Sequence, residues 1–140
     1  MLDAFAHLTT VGSGSYLADD VILLLKPVKI EVTDVNDKER LIQAKQKHYS
    51  EMISQEVAPT DVHKELYQQA MQQNGIRMAH DVQSLALFLA QYYRGPSIAL
   101  VSFVRAGLPL GVLLNRALLA LGNNAHHYGI SIVRDRGIDM

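Results

Sequence analysis

Apolar and polar positions change rhythm twice along this chain, and each change marks a different kind of element. Leu41, Ile42, Lys45 and Tyr49 recur at helical spacing and continue to Met52 and Ile53, which predicts an amphipathic helix entered through a capping turn at Asp34 to Asp37. Pro59-Thr60-Asp61 restarts a helix with Val62, Leu66 and Ala70 on one face, and Gly75 is expected to end it. A further helix runs from about Ala79 through Val82, Leu85, Leu89 and Tyr92, with Gly95-Pro96 as its stop. Ahead of these, Val28, Ile30 and Val32 alternate with Lys29, Glu31 and Thr33, the pattern of a half-exposed strand. The apolar run Val21 to Leu25 follows Asp19-Asp20 and stops at Lys26-Pro27; it fits a short helix capped by Asp19 or a strand. Gly12 to Ser15 mark a flexible or turning start.

After Gly95 the rhythm becomes continuous. Ile98 to Val104 reads as a strand buried on both faces, Leu110 to Leu121 as a helix closed by Gly122, and Tyr128 to Val133 as a second strand. Strand, helix and strand over about thirty residues make a right-handed βαβ unit with parallel strands. The fold class is therefore α/β: a mainly helical segment over 1–95, then a βαβ unit over 96–140, in one domain. Parallel sheets rarely stop at two strands. Nothing after Val133 extends this one, so its second strand is expected to show an unmatched edge, and the chain reads as the front part of a larger α/β domain. A partner chain completing the sheet is the other way to close that edge.

Composition narrows the function. The 140 residues are 49% hydrophobic and 19% charged, with a net charge of -1, which describes a soluble globular chain without the basic surface that general nucleic-acid binding needs. No cysteine is present, so disulfides, thiolate metal sites and a cysteine nucleophile in this chain are excluded. The N-terminus lacks a basic region followed by a long apolar core, and Arg105 and Arg116 interrupt the longest apolar stretches. Neither a secretory signal nor a membrane span is expected, and the cytoplasm is the default location.

The sharpest candidate for chemistry is the turn Arg105-Ala106-Gly107-Leu108 between the first strand and the helix of the βαβ unit. Ligands of open α/β sheets sit beyond the carboxyl ends of the strands, where this turn would lie. Helix N-terminal N–H groups and the helix dipole favour an anion, and arginine offers donors matched to phosphate oxygens. Phosphate or pyrophosphate is thus the first ligand to consider; the alternative is a solvated arginine beside a glycine that merely turns the chain. Arg134, Asp135 and Arg136 follow the second strand at the same edge and could hold a polyanion, or form a charged tail. His126 and His127 read as a loop pair, and His7, His48, His63 and His80 show no metal-ligand spacing. Asp19-Asp20 is a weak magnesium pair that helix capping explains as well. Ser102 lies within a strand and lacks a GxSxG elbow.

Ser102 to Gly111, SFVRAGLPLG, resembles the pyrophosphate-loop region of type I phosphoribosyltransferases. Together with Gly12 to Pro27, Leu41 to Met52, Val101 to Leu114 and His127 to Asp139, it resembles the phosphoribosyltransferase-like proteins of bacterial tellurite-resistance and stress gene clusters. Relatives in that family are also labelled cysteine proteases of the StiP type. The resemblance implies a Rossmann-like domain, a phosphoribosyl pyrophosphate-like small molecule as ligand and Mg2+ as its companion. It places Arg105, Ala106, Gly107 and Leu108 at the pyrophosphate loop, and Arg134, Asp135 and Arg136 at the entry to a mobile loop. The acidic Gly/Thr-rich loop that holds the ribose phosphate in such enzymes has no counterpart here, so the chain is expected to be an N-terminal portion that is inactive alone. A non-catalytic module gripping a partner through the helices of residues 38–93 is the rival reading.

Overall fold

The spine of the sheet is β3 (Ala125–Val133), with β1 (Ile22–Leu23) parallel to it on one side and β2 (Ile98–Phe103) parallel on the other. A computed structural model of the chain describes residues 12–133 and 137–139. Register runs from Ile98 opposite Ala125 to Phe103 opposite Ile130, while Ile22 and Leu23 face Tyr128 and Gly129. Past the end of β2, β3 continues into an antiparallel pairing with β4 (Gly137–Asp139), in which Val133 opposes Gly137 and Ser131 opposes Asp139.

The expected parallel βαβ unit is present as β2, α3 (Leu108–Ala120) and β3, but β2 is not buried on both faces as expected: Ile98 and Ser102 are buried while Val101 and Phe103 are exposed. Its second strand does not have the unmatched edge expected of it, because β1 arrives from about a hundred residues earlier in the sequence to fill that side. The Val21 to Leu25 run is thus a strand rather than a helix capped by Asp19, and the Leu24 N–H extends the ladder to Gly129 O at 2.9 Å. Short apolar runs carry no local signal that separates the two, and here a long-range ladder decides. β3 also begins earlier than its apolar pattern, so His126 and His127 are strand residues and not a loop pair.

The described residues form two compact units, one built from the stretches 12–27 and 71–139 and the other from residues 28–70. The smaller unit holds α1 (Val35–Gln43), capped as expected by Asp34, whose carboxylate accepts from Asn36 N–H at 2.9 Å. This helix stops short of the predicted Met52 because Lys45 adopts a left-handed backbone (φ 54). A short 3-10 turn follows at Tyr49–Glu51, with His48 and Glu51 forming a reciprocal capping box. Of the alternating segment Val28 to Val32, only Val32 pairs, in a single bridge to Ile53. Thr60 then caps the next helix through its hydroxyl to His63 N–H.

That helix, α2 (Asp61–Tyr92), runs unbroken for 32 residues through Gly75, so the predicted stop and restart do not occur. A helix-interior glycine costs only about 1 kcal/mol relative to alanine, and good helix formers surround this one. Gly75 also has a negative φ, not the left-handed conformation of a C-terminal cap. In the larger unit the core joins Val82 and Ala86 of α2, Leu114 and Leu118 of α3, Ile98 of β2 and Ala125 of β3. A second cluster of Val21, Leu23 and Leu108 packs with Val104 and Tyr16 around Gly129. A Cβ at Gly129 would meet the ends of the Leu23, Val104 and Leu108 side chains, so glycine lets these side chains pack directly over the centre of β3. Among the described residues no helix is long and apolar enough to cross a membrane.

Candidate functional site

Two features stand at or near the carboxyl end of the sheet, and only one is exposed. The exposed one is the Arg105 turn. All three parallel strands point the same way, so β2 delivers Val104 and Arg105 to the edge where β1 also ends and beside the β3–β4 extension. The peptide bond Val104–Arg105 is cis. Gly107 caps α3 with φ -78, so its role is not a positive φ. A Cβ there would crowd the Phe103 backbone and the Ser102 Cβ; glycine is needed because the turn folds tightly back on the end of β2.

Pro109 occupies the first turn of α3, as a helix start favours. The Gly107 N–H is already spent on Phe103 O (2.9 Å) and the Leu108 N–H on Arg105 O (3.2 Å). The turn therefore presents an exposed Arg105 and the N-terminal end of the α3 dipole, and not a full cradle of backbone donors. Arg134, Asp135 and Arg136 lie outside the described residues.

The second feature is a buried polar chain that sequence reasoning did not find. His127 on β3 is buried, and its Nδ1 lies 2.9 Å from Asp20 O while its Nε2 lies 2.8 Å from Ser102 Oγ on β2. A carbonyl only accepts, so Nδ1–H is the donor to Asp20, and in the neutral ring Nε2 accepts the Ser102 hydroxyl proton. The Asp20 carboxylate, 4% exposed as a residue, takes a two-pronged pair from Arg116 on α3, Nε to Oδ1 and Nη2 to Oδ2, each at 2.6 Å. Leu17 N–H donates to the same carboxylate at 3.0 Å.

Ser102 and His127 thus have the donor–acceptor order of a nucleophile and its base. Both are buried beneath Gly111 of α3, where even a Cβ would overlap Ser102 Oγ and His127 Nε2. No substrate carbon can approach that hydroxyl, so the chain is a structural tie between β1, β2, β3 and α3. Neighbouring Asn115 is also buried, and its Oδ1 has no hydrogen-bond partner among the described residues. The signals that could have revealed the tie are a serine and a histidine inside apolar strands, each facing an apolar helix with one glycine.

The same geometry removes Asp19-Asp20 as a magnesium pair, because the Asp20 carboxylate is already engaged by a guanidinium. Among the described residues no group of three or more His, Cys, Asp or Glu side chains is placed to hold a metal ion.

The Arg116 guanidinium bonded to Asp20 holds its carboxyl below the ordinary value of 3.8, with help from the Leu17 N–H and against the opposing effect of burial. A depressed carboxylate adds stability that is present above its unfolded value and is lost as pH falls through the folded one. Acid unfolding below about pH 4 is therefore expected to include an Asp20 component. Urea titrations from pH 6 to pH 2 should show that Asp20→Asn is less stable at pH 6 and flatter below pH 4; parallel pH profiles would remove Asp20 from the acid response.

Residues 14–140 match the family described as tellurite-like stress resistance cysteine protease StiP. The chain is similar to a protein of Acinetobacter baylyi named cysteine protease StiP, with 59% identity over 128 residues covering 91% of this chain and 33% of that relative. The chain thus spans about a third of the length of the curated relative it matches. No solved structure matches it. With no cysteine in its sequence, the chain itself supplies no thiol nucleophile, whatever chemistry its relatives' name denotes. On the match over residues 14–140, the chain belongs to the StiP family of tellurite-like stress resistance proteins.

Proposed function

We propose that this chain is the phosphate-recognising N-terminal portion of a phosphoribosyltransferase-like, Rossmann-like protein acting in tellurite-type stress resistance, and that it does not catalyse group transfer alone. The observation that carries the reading is the position of Arg105: exposed, at the carboxyl end of β2, on the turn that enters α3. That is where open α/β sheets bind ligands and where a helix dipole favours negative charge. The ligand class is a pyrophosphate-bearing small molecule of the phosphoribosyl pyrophosphate type.

At such a site Arg105 would bind and orient the pyrophosphate oxygens as a fork of charged donors. Group transfer from the sugar also requires the ribose to be held while charge develops on it. The acidic Gly/Thr-rich loop that does this in phosphoribosyltransferases has no counterpart in this sequence, so binding without turnover is the expected behaviour of the isolated chain.

Isothermal titration with inorganic pyrophosphate and with phosphoribosyl pyrophosphate, each with and without Mg2+, tests the reading. Losing one charge-assisted arginine contact costs about 1.5–3 kcal/mol, which corresponds to roughly ten- to a hundredfold weaker binding by Arg105→Ala. Equal affinity of the two proteins for both ligands would sink the proposal.

A further inference from the structure

Among the described residues, one face of the β1–β3–β2 sheet is packed by α2 and α3, and the other carries several exposed apolar side chains. Residues of one parity, Ile98, Ser102, Ala125, His127 and Gly129, are buried, and the same face contributes Ile98 and Ala125 to the core shared with α2 and α3. Partners in a parallel ladder share a face, so Val101 and Tyr128, or Phe103 and Ile130, stand together on the opposite side. There Val101 is 60% exposed, Phe103 51%, Ile132 53% and Ile22 40%. An apolar surface of this kind on a parallel sheet is out of keeping with strands whose two faces are ordinarily both covered by helices.

The dimensions define what fits. The six residues of β2 span roughly 20 Å at 3.3 Å per residue, the length of about 13 helical residues at 1.5 Å each. That is the length of α3, which covers the other face with 13 residues. A three-stranded face about 10–15 Å wide takes one such helix, or two at its margins. A second copy of this chain would offer sheet against sheet, which is not how parallel strands are ordinarily covered. The relative from Acinetobacter baylyi has two thirds of its length outside the matched stretch, ample chain to provide the helix.

We infer that the face bearing Val101, Phe103, Tyr128 and Ile132 is the docking surface for an amphipathic helix from the part of a StiP-family protein beyond the region matched here. The helix presents its apolar stripe to Val101 and Phe103 and leaves its polar side to solvent, completing a three-layer α/β/α arrangement. This inference does not rest on anion binding by Arg105, and the two fail separately.

Carbene footprinting, which labels exposed side chains of any type, tests it on intact proteins. This chain and the full-length Acinetobacter baylyi relative are labelled across a range of concentrations, and the peptides spanning the two strands are compared. The expected result is heavy labelling of the 99–103 and 128–132 peptides in this chain and several-fold less in the relative, at every concentration. Equal labelling in the two proteins overturns the proposal, because the rest of the family chain then leaves the face open. Protection that rises with concentration in this chain overturns it in favour of a second copy. Val101→Lys provides an internal check: at an exposed position it should leave this chain's thermal unfolding unchanged.

Discussion

Gly111→Ala is expected to destabilise the protein by about 1–3 kcal/mol, opposite in sign to the effect of the same change in an ordinary helix. By propensity alone, replacing a helix-interior glycine with alanine stabilises by about 1 kcal/mol. At Gly111, however, the new methyl would fall on Ser102 Oγ and on the His127 ring. Neither neighbour is the loose end of a long side chain. The ring is held at Nδ1 by Asp20 O and at Nε2 by Ser102, and both residues are buried. Relief requires α3 to lift from the sheet, loosening the Leu114 and Leu118 contacts, or the Ser102–His127 bond to break.

Gly75→Ala in α2 is the built-in comparison. Nothing lies within 4 Å of a Cβ at Gly75, so propensity should act unopposed and stabilise by about 0.5–1 kcal/mol. Urea denaturation of the two variants separates the effects by sign. If Gly111→Ala stabilised the protein as Gly75→Ala should, the close approach of α3 to the Ser102–His127 pair would be wrong.

His127→Phe is expected to cost about 2–4 kcal/mol although the ring it introduces is of similar size and more apolar. The change leaves Asp20 O and Ser102 Oγ without the partner each now has, and a buried unpaired polar group costs about 1–3 kcal/mol. Ser102→Ala breaks one of the two bonds and should cost less. Because Ser102 and His127 share a bond, the double variant should lose less than the sum of the single losses. Chemical denaturation with circular dichroism gives all three values. Strict additivity would mean that the two side chains do not interact.

The two predictions share an origin in the tie from Asp20 through His127 to Ser102, with Arg116 on the Asp20 carboxylate. Ser102 and Asp20 are far apart in sequence, and α3 reaches both through Gly111 and Arg116. The tie fixes how β1 sits against β3, and with it the floor of the edge that carries Arg105. A loss at His127 is therefore expected to be felt first as a loosened β1.

Elements with strong local signals were legible in the sequence alone. The continuous apolar run Ile98 to Val104, the helix after Pro109 and the strand through Val133 specified a parallel βαβ unit. The Asp34 cap and the Thr60 start of α2 were legible for the same reason: a cap is satisfied by backbone groups two or three residues away. The basic turn was legible between β2 and α3 as Arg105 to Gly107, with Leu108 already the first residue of the helix.

What only the tertiary structure decided depends on partners distant in the chain. Ile22 and Leu23 became a strand because Tyr128 and Gly129 offered them a ladder, and no window of neighbouring residues contains that information. Gly75 stayed helical because a lone glycine carries too small a penalty to stop a long helix. His127 changed from a loop residue to the centre of a buried network because Asp20, Ser102 and Gly111 converge on it from three separate stretches of sequence. Local propensity and capping act over a few residues and can be read directly; strand pairing, and the satisfaction of buried polar groups, are chosen only when the chain has closed on itself.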